Sequence, residues 1–153
     1  MYIVSYFDSP VGWLRLVSNT KAIVTVDFVD KQGQDSTTKD SILLQCEEEL
    51  AAYFDGSLQH FNVPVAFESG TPFQQEVWQA LMKIPYGSCA SYKDVAITVG
   101  RTKAVRAVGG ANNKNPIVIL VPCHRVIGTN KKLVGYAGGL DKKEYLLHLE
   151  GYM

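Results

Sequence analysis

The sequence is poor in cysteine and lacks any long apolar run. Three cysteines, Cys46, Cys89 and Cys123, occur among its 153 residues. Three cysteines cannot all pair, and their spacing fits neither a disulfide framework nor a zinc site, so we expect no disulfide staple and no metal. The longest apolar run covers residues 116–123, far short of the roughly 20 residues of a membrane-spanning helix. We therefore expect a cytoplasmic protein without a membrane segment.

A secretion signal and an overall excess of one charge are also missing. The opening stretch, MYIVSYFDSP, has neither a basic segment nor a cleavage site. The chain has 15 Lys and Arg against 15 Asp and Glu. Their distribution is uneven, since residues 1–70 hold four basic and ten acidic side chains and residues 71–153 hold eleven and five. A basic half favours contact with a polyanion, although attraction between the two halves would give the same pattern.

Within the basic half, one stretch carries most of the positive charge. Residues 93–132 contain a single acidic residue, Asp94, and eight basic ones. The basic residues are Lys93, Arg101, Lys103, Arg106, Lys114, Arg125, Lys131 and Lys132. If the second half binds a polyanion, this stretch is the expected contact surface.

The first part of the chain has the pattern of a small sheet. Residues 2–7, 12–18 and 22–28 are rich in β-branched and aromatic side chains and alternate in part between apolar and polar. Turn-forming residues separate the three segments. This pattern predicts an antiparallel meander of three strands.

A helix is predicted to follow the sheet. A polar loop over residues 30–40 leads into apolar residues at helical spacing. The helix is predicted to be capped by Asp40 or Ser41 and to stop at Gly56. Cys46 lies on its apolar stripe, where we expect a buried structural thiol.

The second part has the pattern of a helix-turn-helix. Ser91 with Asp94 three residues later is typical of a capping box, and it predicts a short helix that Gly100 closes. Thr102 is predicted to cap a third helix that begins at Lys103. Basic residues concentrate on the turn and the second of these helices, which favours DNA binding over an ordinary helical hairpin.

The candidate for chemistry is the Pro-Cys-His-Arg sequence at the end of a short apolar strand predicted over residues 116–123. A thiol beside an imidazole and a guanidinium is expected to have a lowered pKa, which makes Cys123 the candidate nucleophile. Successive side chains of an extended segment point to opposite faces, so Cys123 and His124 need a bridging water or a turn to exchange a proton. The histidine also needs an orienting acceptor, for which Glu150 is one candidate.

These motifs resemble one family closely. From about Thr71 to Gly151 the chain is similar to the O6-alkylguanine-DNA alkyltransferases, also called methylated-DNA–protein-cysteine methyltransferases, in the sequences IPYGSCASYKDVA, RAVGGANNKNP, PCHRVIG and GYAGGLDKKEYLLHLEG. The resemblance implies an α+β fold. Residues 1–68 would form a ribonuclease-H-like domain with a small antiparallel sheet and a helix. Residues 69–153 would form a mostly helical, winged-helix-like domain that contains the helix-turn-helix.

The resemblance also implies direct reversal of DNA damage. A methyl or larger alkyl group would move irreversibly from O6-alkylguanine in duplex DNA, with O4-alkylthymine as a second candidate lesion, to the Cys123 thiolate. The base would first be flipped out of the duplex, because its reacting atom is out of reach inside the stack. Each molecule would act once, without cofactor or metal. The implied partner is double-stranded DNA, bound through its minor groove by a monomer.

Five residues match catalytic positions of the family. Cys123 would attack the alkyl carbon, His124 would take the thiol proton through a water, and Glu150 would orient His124. Tyr92 would push the 3′ phosphate and donate a proton to the leaving guanine. Asn115 would brace the active-site loop and the recognition helix.

Two further groups match positions at the DNA and around the base. Arg106 matches an arginine finger that fills the gap left by the flipped base. The residues expected at the DNA are Arg106, Tyr92, Arg101, Lys103, Ala104, Gly109, Gly110, Ala111 and Arg125. The residues expected around the alkylguanine are Val126, Thr129, Tyr136, Gly138 and Asn112. Of these, the Val126 backbone and the Thr129 side chain would read the guanine edge, and Tyr136 would form a pocket wall.

Two other functions are compatible with a DNA-binding helix-turn-helix. A non-catalytic lesion sensor of the alkyltransferase-like type keeps the architecture but replaces the reactive cysteine, whereas Cys123 is present here. A DNA-binding regulator needs a polar recognition helix for base readout, and this helix offers valine, alanine and glycine side chains instead. The sequence therefore favours the alkyltransferase over both alternatives.

Overall fold

The computed structural model describes residues 1–130, 133, 135–136 and 138–153 of the chain. The chain divides into two compact units. The first contains residues 1–68 and 116–118, and the second contains residues 69–115 and 119–153. A three-stranded antiparallel sheet with one helix forms the first unit, and the second is mostly helical. The predicted α+β class is confirmed.

The sheet of the first unit follows from the alternation in its sequence. Its strands are β1 (Ile3–Ser9), β2 (Gly12–Ser18) and β3 (Ile23–Val29), in the order β1-β2-β3. Both neighbouring pairs are antiparallel. Leu14 and Leu16 of β2 are fully buried, while Arg15 between them is half-buried. One face of the central strand therefore forms the core of this unit.

Helix α1 (Ser41–Phe54) supplies the other side of that core. The Asp40 side chain accepts a hydrogen bond from the Leu43 backbone N–H at 2.8 Å, so Asp40 is the cap. Gly56, with φ +87°, follows the helix in the left-handed conformation that favours glycine. Cys46 is fully buried, and burial raises the pKa of its thiol to about 12. The predicted structural thiol is confirmed.

The apolar segment before Cys123 is not one continuous strand. The Val26 backbone N–H donates to the Pro116 carbonyl at 3.0 Å, and the Val118 N–H donates to the Val26 carbonyl at 2.9 Å. Ile119 then adopts φ +73°, a left-handed conformation that ends the extended stretch. The prediction of a strand over residues 116–123 is therefore wrong.

Within its described residues, the second unit contains four α-helices and two short strands. They are α2 (Pro72–Leu81), β4 (Ala90–Ser91), α3 (Tyr92–Thr98), α4 (Val105–Asn113), β5 (Val126–Ile127) and α5 (Leu140–Leu149). Strands β4 and β5 pair in parallel. The fully buried Trp78 joins two helices, because its indole N–H donates to the Ala111 carbonyl at 2.8 Å. In the part of the chain that the structure describes, no helix has the length and apolar character needed to cross a membrane.

Helices α3 and α4 form the predicted helix-turn-helix. The capping box of Ser91 and Asp94 is present, and Gly100 adopts φ +75° after α3. Helix α4 begins at Val105 with Ala104 as its N-cap, so the predicted cap at Thr102 and start at Lys103 are wrong. The reason is a tight turn, in which the Ala104 backbone N–H donates to the Arg101 carbonyl at 2.9 Å.

Candidate active site

Cys123 lies at the start of a tight turn in the second unit. Residues Cys123–Arg125 form a 3₁₀ helix, in which the Arg125 backbone N–H donates to the Pro122 carbonyl at 3.0 Å. The Cys123 side chain is buried. A turn is one of the two arrangements that would let neighbouring thiol and imidazole groups cooperate, and it replaces the extended geometry expected from the sequence.

A buried hydrogen bond joins His124 to Glu150. The two atoms, His124 Nε2 and Glu150 Oε2, are 2.7 Å apart, and both side chains are fully buried. Within the described residues, His124 Nδ1 has no hydrogen-bond partner. With its proton on Nε2, facing the carboxylate, the neutral ring presents Nδ1 as a proton acceptor. The structure thus brings together the base and orienting acid that the sequence predicts.

Arg125 faces inward rather than toward DNA. Its Nε donates to Glu150 Oε1 at 2.7 Å and its Nη2 donates to Glu150 Oε2 at 3.0 Å. The remaining Nη1 donates to the Ile84 carbonyl at 2.7 Å, and the guanidinium lies 5.7 Å from the centre of the Tyr86 ring. This placement disfavours the predicted DNA contact, because the Arg125 side chain is only 9% exposed and its donors are engaged internally.

Burial dominates the titration of the nucleophile. Complete burial raises the pKa of Cys123 to about 11, although Asn115, Lys143 and Tyr136 each act to lower it. The expected lowered pKa is therefore wrong for the protein without substrate. Burial also lowers the pKa of His124, against the raising effect of the hydrogen bond that His124 donates to Glu150. Both shifts favour a neutral thiol beside a neutral imidazole.

Lys143 is a component of the site that the sequence reasoning missed. It lies on α5 and is fully buried, and its Nζ donates to the Val126 carbonyl at 2.6 Å and to the Gly135 carbonyl at 3.4 Å. Burial lowers the pKa of Lys143 to about 8, while the neighbouring Cys123 acts to raise it. Helical spacing could have found it, because a residue seven positions before Glu150 lies on the same helix face.

Two asparagines brace the backbone around the nucleophile. The Asn115 side chain donates to the Val121 carbonyl at 2.8 Å, and a hydrogen bond from Asn115 lowers the pKa of Cys123. The Asn112 side chain, on α4, donates to the Cys123 carbonyl at 3.4 Å. Both asparagines are buried. They connect the end of α4 to the turn that carries Cys123.

Two tyrosines approach the same thiol. Tyr92 begins α3 and is half-buried, and both burial and the Cys123 charge raise the pKa of its phenol. A Cβ atom added at Gly135 would lie 3.6 Å from the Tyr92 hydroxyl, which locates that phenol beside the loop before α5. A hydrogen bond from Tyr136 lowers the pKa of Cys123. The two phenols are therefore grouped with the thiol, as the family resemblance implies.

The remaining residues expected around the base are spread between interior and surface. Val126 is buried with its carbonyl bound to Lys143, Thr129 is exposed, and Gly138 is half-buried. The basic residues Lys131 and Lys132, part of the predicted contact surface, lie outside the described residues. Among the residues that are described, no group of three or more His, Cys, Asp or Glu side chains could hold a metal ion.

The expected DNA-contacting residues separate into an outer and an inner set. Arg101, Lys103, Arg106 and Gly110 are exposed, and Ala104 and Gly109 are half-buried. Ala111 is buried on the inner side of α4, where its carbonyl accepts the Trp78 hydrogen bond. This burial disfavours the predicted DNA contact of Ala111, because helical periodicity turns this residue toward the core.

Comparison with known families decides what this site belongs to. The family model described as "6-O-methylguanine DNA methyltransferase, DNA binding domain" matches residues 72–152. The model described as "6-O-methylguanine DNA methyltransferase, ribonuclease-like domain" matches residues 2–67. The chain belongs to the 6-O-methylguanine DNA methyltransferase family. The resemblance inferred from the sequence is confirmed.

Individual relatives of the family cover nearly the whole chain. A methylated-DNA–protein-cysteine methyltransferase of Methanosarcina barkeri is 46% identical in an alignment that covers 95% of this chain and 96% of the relative. The crystal structure of the Mycobacterium tuberculosis O6-methylguanine methyltransferase has a TM-score of 0.88 and 41% identity, covering 99% of this chain and 93% of that one. A crystal structure of the Mycobacterium tuberculosis protein in complex with DNA has a TM-score of 0.87 and 42% identity, covering 98% of this chain and 92% of that one.

The predicted enzyme class is confirmed by these relatives. The activity is that of a methylated-DNA–protein-cysteine methyltransferase, which repairs DNA by transferring a methyl group to a cysteine of the enzyme itself. Each enzyme of this class must hold a cysteine near a group that can take its proton.

Proposed function

We propose that Cys123 is the cysteine that accepts the alkyl group, and that the substrate is O6-alkylguanine in duplex DNA. The observation that carries this proposal is the buried chain of Cys123, His124 and Glu150, with 2.7 Å between His124 Nε2 and Glu150 Oε2. Of the other two cysteines, Cys46 is buried in the first unit, and Cys89 is half-buried in the second. Neither has an imidazole beside it in sequence.

The chemical step is an in-line displacement at the alkyl carbon. His124 Nδ1 takes the proton of the Cys123 thiol through a water while the sulfur attacks the carbon. A carbon–sulfur bond forms, the carbon–oxygen bond breaks, and its electron pair stays with guanine. Tyr92 donates a proton to the leaving guanine, and the proton held by His124 restores the phenol through solvent. The thioether has no good leaving group, so each molecule acts once.

The base must leave the stack before this step, because Cys123 is buried inside the second unit. The exposed glycine and cations of α4 and the turn before it support a recognition helix that approaches the minor groove closely. The Mycobacterium tuberculosis protein, which is similar over nearly its whole length, was solved in complex with DNA. We propose double-stranded DNA, bound by a monomer, as the partner.

The proposed functional residues all belong to the second of the two predicted domains. The residues assigned here to DNA, base and thiol all lie within residues 69–153, and residues 1–68 form the ribonuclease-like part. Transfer of alkyl groups larger than methyl, transfer from O4-alkylthymine and the cytoplasmic location stay predictions.

Replacing Arg106 with alanine tests the flipping step. Arg106 is exposed in the first turn of α4, where it can fill the space left by the flipped base. Transfer from a duplex containing O6-methylguanine is expected to slow roughly 10- to 100-fold, because flipping costs a few kcal/mol. Transfer from the free O6-methylguanine nucleoside should stay unchanged, since the nucleoside needs no flipping. Single-turnover rates on both substrates make the comparison.

A matched control is Lys21→Ala, which removes an exposed cation from the first unit and is expected to leave both rates unchanged. A simple phosphate contact at Arg106 would instead weaken duplex binding and lower the salt slope by about 1 without slowing transfer from bound duplex. Equal slowing on duplex and nucleoside would contradict the finger role.

A further inference from the structure

The orienting carboxylate of the site is hydrogen-bonded to two side chains at once. Glu150 Oε2 accepts from His124 Nε2 at 2.7 Å and from Arg125 Nη2 at 3.0 Å, while Oε1 accepts from Arg125 Nε at 2.7 Å. The Glu150 side chain is fully buried. A carboxylate that binds a guanidinium through both oxygens has a fixed plane, so its direction toward the imidazole is fixed as well.

Arg125 is in turn held by groups outside the catalytic set. Its Nη1 donates to the Ile84 carbonyl at 2.7 Å, and its guanidinium stacks over Tyr86. The Tyr86 hydroxyl donates to the Leu149 carbonyl at 3.3 Å, next to Glu150 in the chain. The guanidinium is thus fixed from two directions. These contacts leave it no freedom to turn toward a phosphate.

The charges around His124 form a small balanced set. The carboxylate of Glu150 favours the protonated ring, whereas the cations of Arg125 and Lys143 disfavour it. Burial acts in the same direction as the two cations. Cys123 is next in sequence and neutral in the resting state. Of this set, Arg125 contacts Glu150 directly, through two hydrogen bonds.

We infer that Arg125 is a positioning residue for proton transfer: it fixes the plane of Glu150 and cancels enough of its charge to keep His124 neutral and ready to accept the Cys123 proton. This inference rests on the proposed function, in which His124 is the base. It assigns Arg125 a role inside the site in place of the DNA contact that its sequence neighbourhood suggests.

The physical reason is that a buried carboxylate alone would hold a proton on the imidazole. A protonated ring has no lone pair at Nδ1 and cannot take the thiol proton. With Arg125 on the other side of Glu150, the Arg125–Glu150 pair has no net charge, so it does not hold a proton on the His124 ring. If the Arg125–Glu150 ion pair only stabilised the fold, removing its cation would leave the protonation of His124 unchanged.

Two substitutions test this inference, one that removes the cation and one that removes the anion of the pair. Arg125→Met removes the cation and should raise the pKa of His124 by about 1–3 units. Glu150→Gln removes the anion and should lower that pKa further below its ordinary value. Both shifts are measured on the full-length unreacted protein by following the His124 ring resonances against pH. The pH below which the single-turnover rate falls should rise in Arg125→Met and drop in Glu150→Gln.

Arg125→Lys keeps the charge but loses the two-point geometry. The pKa of His124 should stay within about 0.5 units of the native value, while transfer slows roughly 10-fold or more because Glu150 is no longer held in one plane. This variant decides the matter if Arg125→Met does not fold. A native rate in Arg125→Lys, or an unshifted His124 in folded Arg125→Met, would overturn the inference.

The matched control is Arg15→Lys in the first unit. Arg15 binds Asp27 through Nε and Nη2, both at 3.1 Å, in the same two-point geometry but with both side chains more than 40% exposed. Its rate and His124 titration should be native. Mapping the methyl group in each variant separates the two proposals. Methyl on another cysteine would reject the proposed function, whereas methyl on Cys123 with unshifted titration would reject only the role of Arg125.

Discussion

Replacement of Cys123 by serine is expected to abolish methyl transfer while DNA affinity stays within about twofold of the native value. Serine keeps the approximate size and hydrogen-bonding capacity of the side chain. Its hydroxyl is a far weaker nucleophile and cannot ionise to a thiolate. Loss of a nucleophile that acts with its own base lowers rates by at least about 1,000-fold. Transfer is measured as loss of label from a methyl-labelled duplex, and binding as fluorescence anisotropy of the same duplex.

The other two cysteines supply the controls. Cys46→Ser and Cys89→Ser should both transfer one methyl group per molecule, at rates close to native for any molecules that fold. Cys46→Ser is expected to be less stable, because it buries a hydroxyl where a thiol now packs in the apolar core. Transfer that persists in Cys123→Ser, and disappears in one of the other two variants, would move the acceptor to that cysteine.

Glu150→Ala is expected to lower the free energy of unfolding by about 3–5 kcal/mol, because it leaves a buried guanidinium without its partner. Arg125 Nε and Nη2 both lose their acceptor, and His124 loses its hydrogen bond at 2.7 Å. Glu150→Gln should cost less, since its amide oxygen still accepts one of these bonds. Urea unfolding followed by tryptophan fluorescence gives both values.

A second glutamate on the same helix provides the comparison. Glu144 pairs with His148 at 3.9 Å, and both side chains are more than half exposed. Glu144→Ala should change the free energy of unfolding by no more than about 0.5 kcal/mol. If Glu150→Ala costs no more than Glu144→Ala, the buried Arg125–Glu150 pair does not have the structural importance assigned to it.

Local chemistry explains which parts of the fold could be predicted from the sequence. The cap at Asp40 and the capping box of Ser91 and Asp94 depend on residues three positions apart, so the sequence contains them whole. The three strands of the first unit show their alternation directly. Thr102 had the right chemistry for a cap, but a competing turn ending at Ala104 delayed the helix start to Val105.

The break at Ile119 could not be predicted, since a β-branched residue at φ +73° carries no local signal. The chain there is placed by its pairing with β3, which lies about 90 positions earlier in sequence than the break. A long-range constraint of this kind appears in the sequence only as an apolar run, and such a run fits an unbroken strand equally well.

Burial explains most of the differences at the site. In the sequence, His124 and Arg125 suggest a basic setting that lowers the pKa of Cys123. In the structure, Arg125 is committed to Glu150, and complete burial raises the pKa of the thiol to about 11. The sequence neighbours of Cys123 are enough to make it the candidate nucleophile, whereas the pKa of its thiol depends on residues between 84 and 150 that the fold brings together.

Peptide mapping after stoichiometric reaction with a duplex carrying one O6-methylguanine shows which cysteine accepts the methyl group. Trypsin cuts after Lys and Arg, so each of the three cysteines falls in a different peptide, and Cys123 lies in the one spanning residues 115–125. The account predicts one added methyl group on that peptide and a duplex restored to guanine. A methyl group on the peptide of Cys46 or Cys89, or tight binding with no methylated peptide, would contradict it.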